Sequence, residues 1–136
     1  MKRVMCVDVG EKRIGIAVSD PLGITAQGVE TYTRGGEGDA KYIADKARSL
    51  GAELIVAGLP LNMNGSEGPA VQRVRAFMDE VKALGPSVQF QDERLTTVSA
   101  ERTLLEADMS RQKRRQVIDK LAAVYILRAY LDTHKI

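Results

Sequence analysis

Three β-prone runs crowd into the first thirty-one residues, and this crowding constrains the fold more than any other feature of the chain. Val4 to Val9, Arg13 to Ser19 (alternating around Ile14, Ile16 and Val18) and Ile24 to Thr31 are separated only by Gly10-Glu11-Lys12 and Asp20-Pro21-Leu22-Gly23. A parallel return needs a crossover of about a dozen residues, so strands this close in sequence must run antiparallel, as a β-meander. Thr33 to Asp39 then reads as a glycine-rich, flexible loop.

Past that loop the period changes. Ala40 to Leu50 reads as a helix ending at Gly51, Leu54 to Ala57 as a strand, Pro69 to Leu84 as a helix between a first-turn proline and Gly85-Pro86, and Val88 to Gln91 as another strand. Val98 to Ala107 and roughly Arg114 to Thr133 complete the helices. Alternation of helix and strand implies right-handed crossovers and parallel pairing. The expected fold is α/β: a mixed five-stranded sheet, a meander followed by two parallel crossover strands, with helices on both faces. At 136 residues, with 44% hydrophobic and 28% charged, the chain (1–136) reads as one globular domain.

The single cysteine, Cys6, and single histidine, His134, exclude a Cys/His zinc cluster and an internal disulfide, and argue against a histidine-based triad. Chemistry must come from carboxylates, hydroxyls, basic groups or an oxygen-ligated metal. No signal peptide is evident, and no run approaches the roughly eighteen apolar residues of a membrane span, so a cytoplasmic protein with no membrane partner is expected. A net charge of +2 is too small to argue for nucleic-acid binding by itself.

Three carboxylates stand out. Asp8 lies within the apolar run of the first strand, where an ionised group is costly unless paired or metal-bound; the alternative is a cap on the turn toward Gly10. Glu93 follows the last strand at its carboxyl end within Asp92-Glu93-Arg94, and strand alternation lets only one of Asp92 and Glu93 face a site shared with Asp8. A surface cluster neutralised by Arg94 is the alternative. Asp119 shares its helical face with Ala122, Ala123 and Ile126 and so points with the buried stripe; otherwise it complements the helix dipole beside Arg115. Three such groups at one sheet end would form an oxygen-rich site suited to Mg²⁺ or Mn²⁺, the metals that activate water in phosphodiester cleavage.

The sharpest charge feature is Arg111, Lys113, Arg114 and Arg115, directly before the helix that carries Asp119. Cations are disfavoured at a helix amino-terminus, so a phosphate backbone would explain them, although a solvated helix start is the commoner reason for such a run. Arg13 and Arg94 add charge beside Asp8 and Glu93, as phosphate contacts or as local ion-pair partners. The loop Leu59 to Gly68 lacks a Walker pattern, but Asn62, Asn64 and Ser66 offer polar groups to a phosphate at the entrance of the next helix. With 4% aromatic residues, recognition should rest on backbone and shape more than on base stacking.

The segments Asp8-Val9-Gly10-Glu11-Lys12-Arg13-Ile14-Gly15-Ile16-Ala17-Val18-Ser19-Asp20, Gly58-Leu59-Pro60, Asp92-Glu93-Arg94-Leu95-Thr96-Thr97 and Ile118-Asp119-Lys120-Leu121-Ala122-Ala123 occur in the order seen in the YqgF family. The chain resembles that family, also called RuvX-like, over essentially its whole length. The resemblance implies a ribonuclease H-like fold, an acidic triad of Asp8, Glu93 and Asp119, and cleavage of nucleic acid dependent on Mg²⁺ or Mn²⁺. It also implies a role in maturing the 5′ end of precursor small-subunit ribosomal RNA, in contact with pre-ribosomal particles, or in resolving four-way DNA junctions. Within these, RNA is favoured and DNA is the alternative, because junction resolution normally needs a two-fold dimer and no strong exposed apolar stripe is visible; a monomer is expected. Two other classes compete. An actin-like or sugar-kinase ATPase opens with a similar hairpin but needs a second domain, and a non-catalytic ribosome-assembly protein would not need all three acids.

Overall fold

The computed structural model describes residues 3–93 and 111–134, with side chains of the last helix described from Asp119 onward. The strands are β1 (Arg3–Val9), β2 (Arg13–Ser19), β3 (Ala26–Thr33), β4 (Ala52–Leu59) and β5 (Ser87–Asp92). The helices are α1 (Asp39–Ser49), α2 (Pro69–Ala83) and α3 (Arg111–Thr133). The helix expected over Val98 to Ala107 lies outside the described residues.

The strands form one sheet in the order β3-β2-β1-β4-β5. The meander pairs antiparallel, and β1 pairs parallel with β4, which pairs parallel with β5. The strongly apolar β1 and β4 occupy the centre, as strands buried on both faces must.

Several boundaries move for local reasons. β3 starts at Ala26 because the Asp20 carboxylate accepts the amides of Ile24 and Thr25 at 2.7 and 3.1 Å and keeps both in the turn. It continues to Thr33, which pairs with Arg13. The segment after it, expected to be flexible, is tied down by one residue. Asp39, buried at the start of α1, accepts from the Tyr32 hydroxyl at 2.8 Å, Arg34 Nε at 3.3 Å and the amides of Gly35 and Gly36 at 2.9 and 3.2 Å. Burial alone would raise its pKa, but the Gly35 amide, the Tyr32 hydroxyl, the Gly36 amide and Arg34 together hold it below the ordinary aspartate value.

Side-chain alternation divides the core in two. Met5, Val7, Ile14, Ile16, Ile55 and Ala57 face α1 and α2. Cys6, Ala17 and Val56 face α3, against Ala122, Ala123, Ile126 and Leu127. Helices therefore cover both faces, α1 and α2 on one and α3 on the other.

Candidate active site

Asp8 follows Val4 and Cys6 in the alternation of β1, so it stands on the α3 face near the carboxyl end of the strand. Its partner on β2 is Gly15. On the other side, β1 and β4 are in register through Val7 and Ala57, so the next position across from Asp8 is Gly58. Asp8 is thus flanked on its own face by two residues without side chains.

Each bare position admits another carboxylate. Over Gly15 passes the main chain of Asp119: a Cβ built on Gly15 would lie 1.8 Å from the Asp119 carbonyl oxygen, an impossible approach. Over Gly58 lies Glu93, whose Cγ and Cδ would be 3.0 and 3.1 Å from a Cβ there, beside Ile126 Cδ1 at 2.7 Å. Glu93 therefore sits on the α3 face, whereas Asp92 shares the parity of Val88 and Phe90 and belongs to the opposite face. Both Asp8 and Glu93 act on the wholly buried Cys6: burial pushes its thiol pKa well up, and the two carboxylates push it further. The three acids share one face and one end of the sheet.

The helix reaches this place by crossing the strands. The Lys120 stem covers Gly28 on β3, Asp119 covers Gly15 on β2, Ile126 reaches Gly58 on β4, and the Tyr130 hydroxyl donates to Gln89 Oε1 on β5 at 3.0 Å. Small residues make the approach possible, with Ala122 and Ala123 buried beneath the helix.

Asp119 has a partner that its own helix does not supply. Arg13 Nε donates to Asp119 Oδ2 at 2.7 Å across 106 positions of sequence, with the two side chains 27% and 19% exposed. Among the described residues no group of three His, Cys, Asp or Glu side chains is gathered closely enough to hold a metal ion. The donor set still fits an oxygen-preferring cation: Asp8 and Glu93 neighbour each other across Gly58, and the Asp119 backbone is fixed one strand away.

The remaining expected contacts divide. Asn62, Asn64 and Ser66 bond to one another: Asn62 Nδ2 donates to Ser66 Oγ at 2.9 Å, and the Ser66 amide and hydroxyl donate to Asn64 Oδ1 at 3.0 and 2.6 Å. Their loop is exposed and folds on itself around Gly65, whose φ of 87° suits a residue without a side chain. Arg111, Lys113, Arg114 and Arg115 lie in the first turns of α3, not ahead of it, since the helix begins three residues before the expected start. Their side chains, and Arg94, lie outside the described residues.

Sequence reasoning missed Gly15 and Gly58 as site residues, although both stand in the motifs, and missed Arg34. Arg34 Nη1 donates to the Gly10 carbonyl at 2.8 Å, in the turn that follows Asp8, while its guanidinium pairs with Asp39 and stacks 4.8 Å over Phe77. It braces the site turn against α1 and α2.

Comparison with known proteins agrees with this architecture. The chain matches the RuvX family profile, described as Holliday junction resolvase, over residues 2–133. It is 55% identical over 132 residues to a protein of Moorella thermoacetica named "Putative pre-16S rRNA nuclease", covering 96% of this chain and 94% of that one. A protein of Clostridioides difficile with the same name is 54% identical over 132 residues, with the same coverage. Among solved structures, T. thermophilus RuvC in complex with a Holliday junction substrate aligns with a TM-score of 0.56 over 99% of both chains at 12% identity, a likeness of fold that identifies the ribonuclease H-like class. From the sheet order, the motifs in their places and a family match over nearly its whole length, this chain belongs to the RuvX family.

Proposed function

We propose that this protein is a divalent-metal-dependent nuclease that hydrolyses phosphodiester bonds at the 5′ end of precursor 16S ribosomal RNA. The observation that supports the reading is the approach of the Glu93 side chain and the Asp119 backbone to the sheet face of Asp8, over the bare positions Gly58 and Gly15. A bound Mg²⁺ or Mn²⁺ would supply an activated water and charge stabilisation for the leaving oxygen. Asp8, between the other two, is placed to share its oxygens; Glu93 and Asp119 complete the acidic set. Arg111, Lys113, Arg114, Arg115 and Arg94 hold the phosphate backbone, and Arg13 adds a cation beside the acids. Asn62, Asn64 and Ser66 present an exposed polar loop at the carboxyl ends of the parallel strands, where ligands of open α/β sheets bind.

The names of the relatives support an RNA substrate, and pre-ribosomal particles are then the setting in which it is met. The family description supports a second reading, a four-way DNA junction cut by a two-fold dimer. No helix among the described residues is long and apolar enough to cross a membrane. One assay separates these readings: purified protein with precursor 16S RNA, matched single-stranded DNA and a four-way junction, each with Mg²⁺, Mn²⁺ or chelator. Metal-dependent cleavage of the RNA is expected. Cleavage of the junction alone would make the protein a resolvase, and cleavage of nothing would make it a binding protein.

A further inference from the structure

The Asp119 main chain is pinned over Gly15, while its carboxylate is held by Arg13 at 2.7 Å. Arg13 stands two residues from Gly15 on the same face of β2, nearer the end of the sheet, and holds that carboxylate on the side away from the strand interior. Asp8 is level with Gly15 on the adjoining strand. The structure shows the side chain on Arg13; a rotation about χ1 would turn it inward toward Asp8.

We propose that Arg13 parks the Asp119 carboxylate away from the metal position, and that a divalent cation seated on Asp8 and Glu93 draws it inward and releases the guanidinium to a substrate phosphate. This rests on the metal-site reading above. Without a cation, three carboxylates brought together repel one another, and pairing one of them with Arg13 relieves the crowding. With a cation, a doubly charged centre already held by two carboxylates competes against a single partly exposed ion pair, which is a weak interaction. The exchange therefore runs inward on metal loading. Its product is a cation, Arg13, set free beside the reacting phosphate only when the site is loaded, which links metal occupancy to substrate affinity.

The test is calorimetric titration of the full chain with Mn²⁺, with folding of each variant checked by its melting curve. Arg13→Gln should bind Mn²⁺ about three- to five-fold more tightly than the parent, the scale of a lost competing ion pair, and the gain should vanish in the Asp119→Asn background. Arg13→Lys, which keeps the charge but loses the Nε donor, should fall between the two and serves if Arg13→Gln does not fold. Fluorescence anisotropy with a cleavage-resistant single-stranded RNA should show Mn²⁺ tightening RNA binding in the parent and less so in Arg13→Gln. Mn²⁺ affinity that is unchanged or weakened in Arg13→Gln overturns the exchange. If Asp8→Asn meanwhile abolishes Mn²⁺ binding, the metal site stands and only the exchange is wrong. If the parent binds no Mn²⁺, both readings fall together.

Discussion

The two faces of the sheet are built to different specifications. Toward α1 and α2 the strands present Met5, Val7, Ile14, Ile16, Ile55 and Leu59, and the helices answer with Ile43, Val71, Val74, Phe77 and Met78. Toward α3 they present Cys6, Gly15, Ala17, Val56 and Gly58 around Asp8, answered by Ala122, Ala123 and Ile126, with Val4, Leu54, Leu127 and Tyr130 completing that layer. Bulky side chains maximise the apolar area removed from water, which is what stabilises a fold. Small ones give up area so that a helix backbone can approach the strands, which is what sets the Asp119 backbone over Gly15 beside Asp8. One layer holds the molecule up, and the other sets distances.

The largest expected effect belongs to the distance-setting layer. Asp8→Asn should reduce cleavage to the level seen with chelator while leaving the melting temperature unchanged or raised, because it removes a charge from a crowded acidic cluster; wild-type turnover in the folded variant would exclude Asp8 from the site. A truncation on the other face should give the reverse pattern. Ile43→Ala should cost about 2–5 kcal/mol in a denaturant titration, with cleavage per folded molecule unchanged, and a fall in that specific activity would mean the layers are not separable.

Gly15→Ala crosses the two behaviours. Its methyl group would collide with the Asp119 carbonyl, so α3 must shift. A loss of about 1–3 kcal/mol is expected, less than for Ile43→Ala, yet cleavage should fall much further. Equal activity losses for the two variants would erase the contrast between the faces.

Asp39 sharpens the comparison from within the α1 side, where its buried charge organises a loop. Its pKa is lower in the folded protein than in the unfolded chain, so its stabilisation is fully present above the ordinary aspartate value of about 3.9 and is lost as pH falls through the folded value. Asp39→Asn should cost about 1–3 kcal/mol at neutral pH, for hydrogen bonds left unmade, and should flatten the decline in stability below about pH 4. An unaltered acid limb would show that the contacts with Tyr32 and Arg34 contribute little. The smallest effect concerns the start of α3. Neutralising Arg114 and Arg115 together should reduce the slope of log RNA affinity against log salt by roughly 0.7 per lost phosphate contact, and an identical slope would make the run a solvated helix start.

Most of the frame was legible because it depends on local pattern: period two in the meander, period 3.6 in the helices, and turns too short for a crossover. The boundaries that moved are those where a side chain reaches past its neighbours, as Asp20 does to delay β3. The three acids were visible as residue types in unusual places, and alternation made Asp92 and Glu93 exclusive, but choosing between them needed the family pattern. Pairing of Arg13 with Asp119 left no mark, since strands and helices carry no local signal for a partner 106 positions away. Nor did the roles of Gly15 and Gly58, because a glycine in a strand announces a close approach without saying what approaches. The hydrogen bonds among Asn62, Asn64 and Ser66 show how a polar loop read as ligand-binding can spend much of its capacity on its own shape.

The crossing helix also fixes a chronology. During synthesis the amino-terminal part of a chain is made first, and here the meander, both crossover strands and the α1–α2 layer are all made before Asp119 is added. A nascent chain halted before α3 carries Asp8 and Glu93 without Asp119 and without α3 over their face of the sheet. On the proposed site, the hydrolase is thus incomplete throughout most of its own translation, and premature termination yields a chain that lacks one of its three acids.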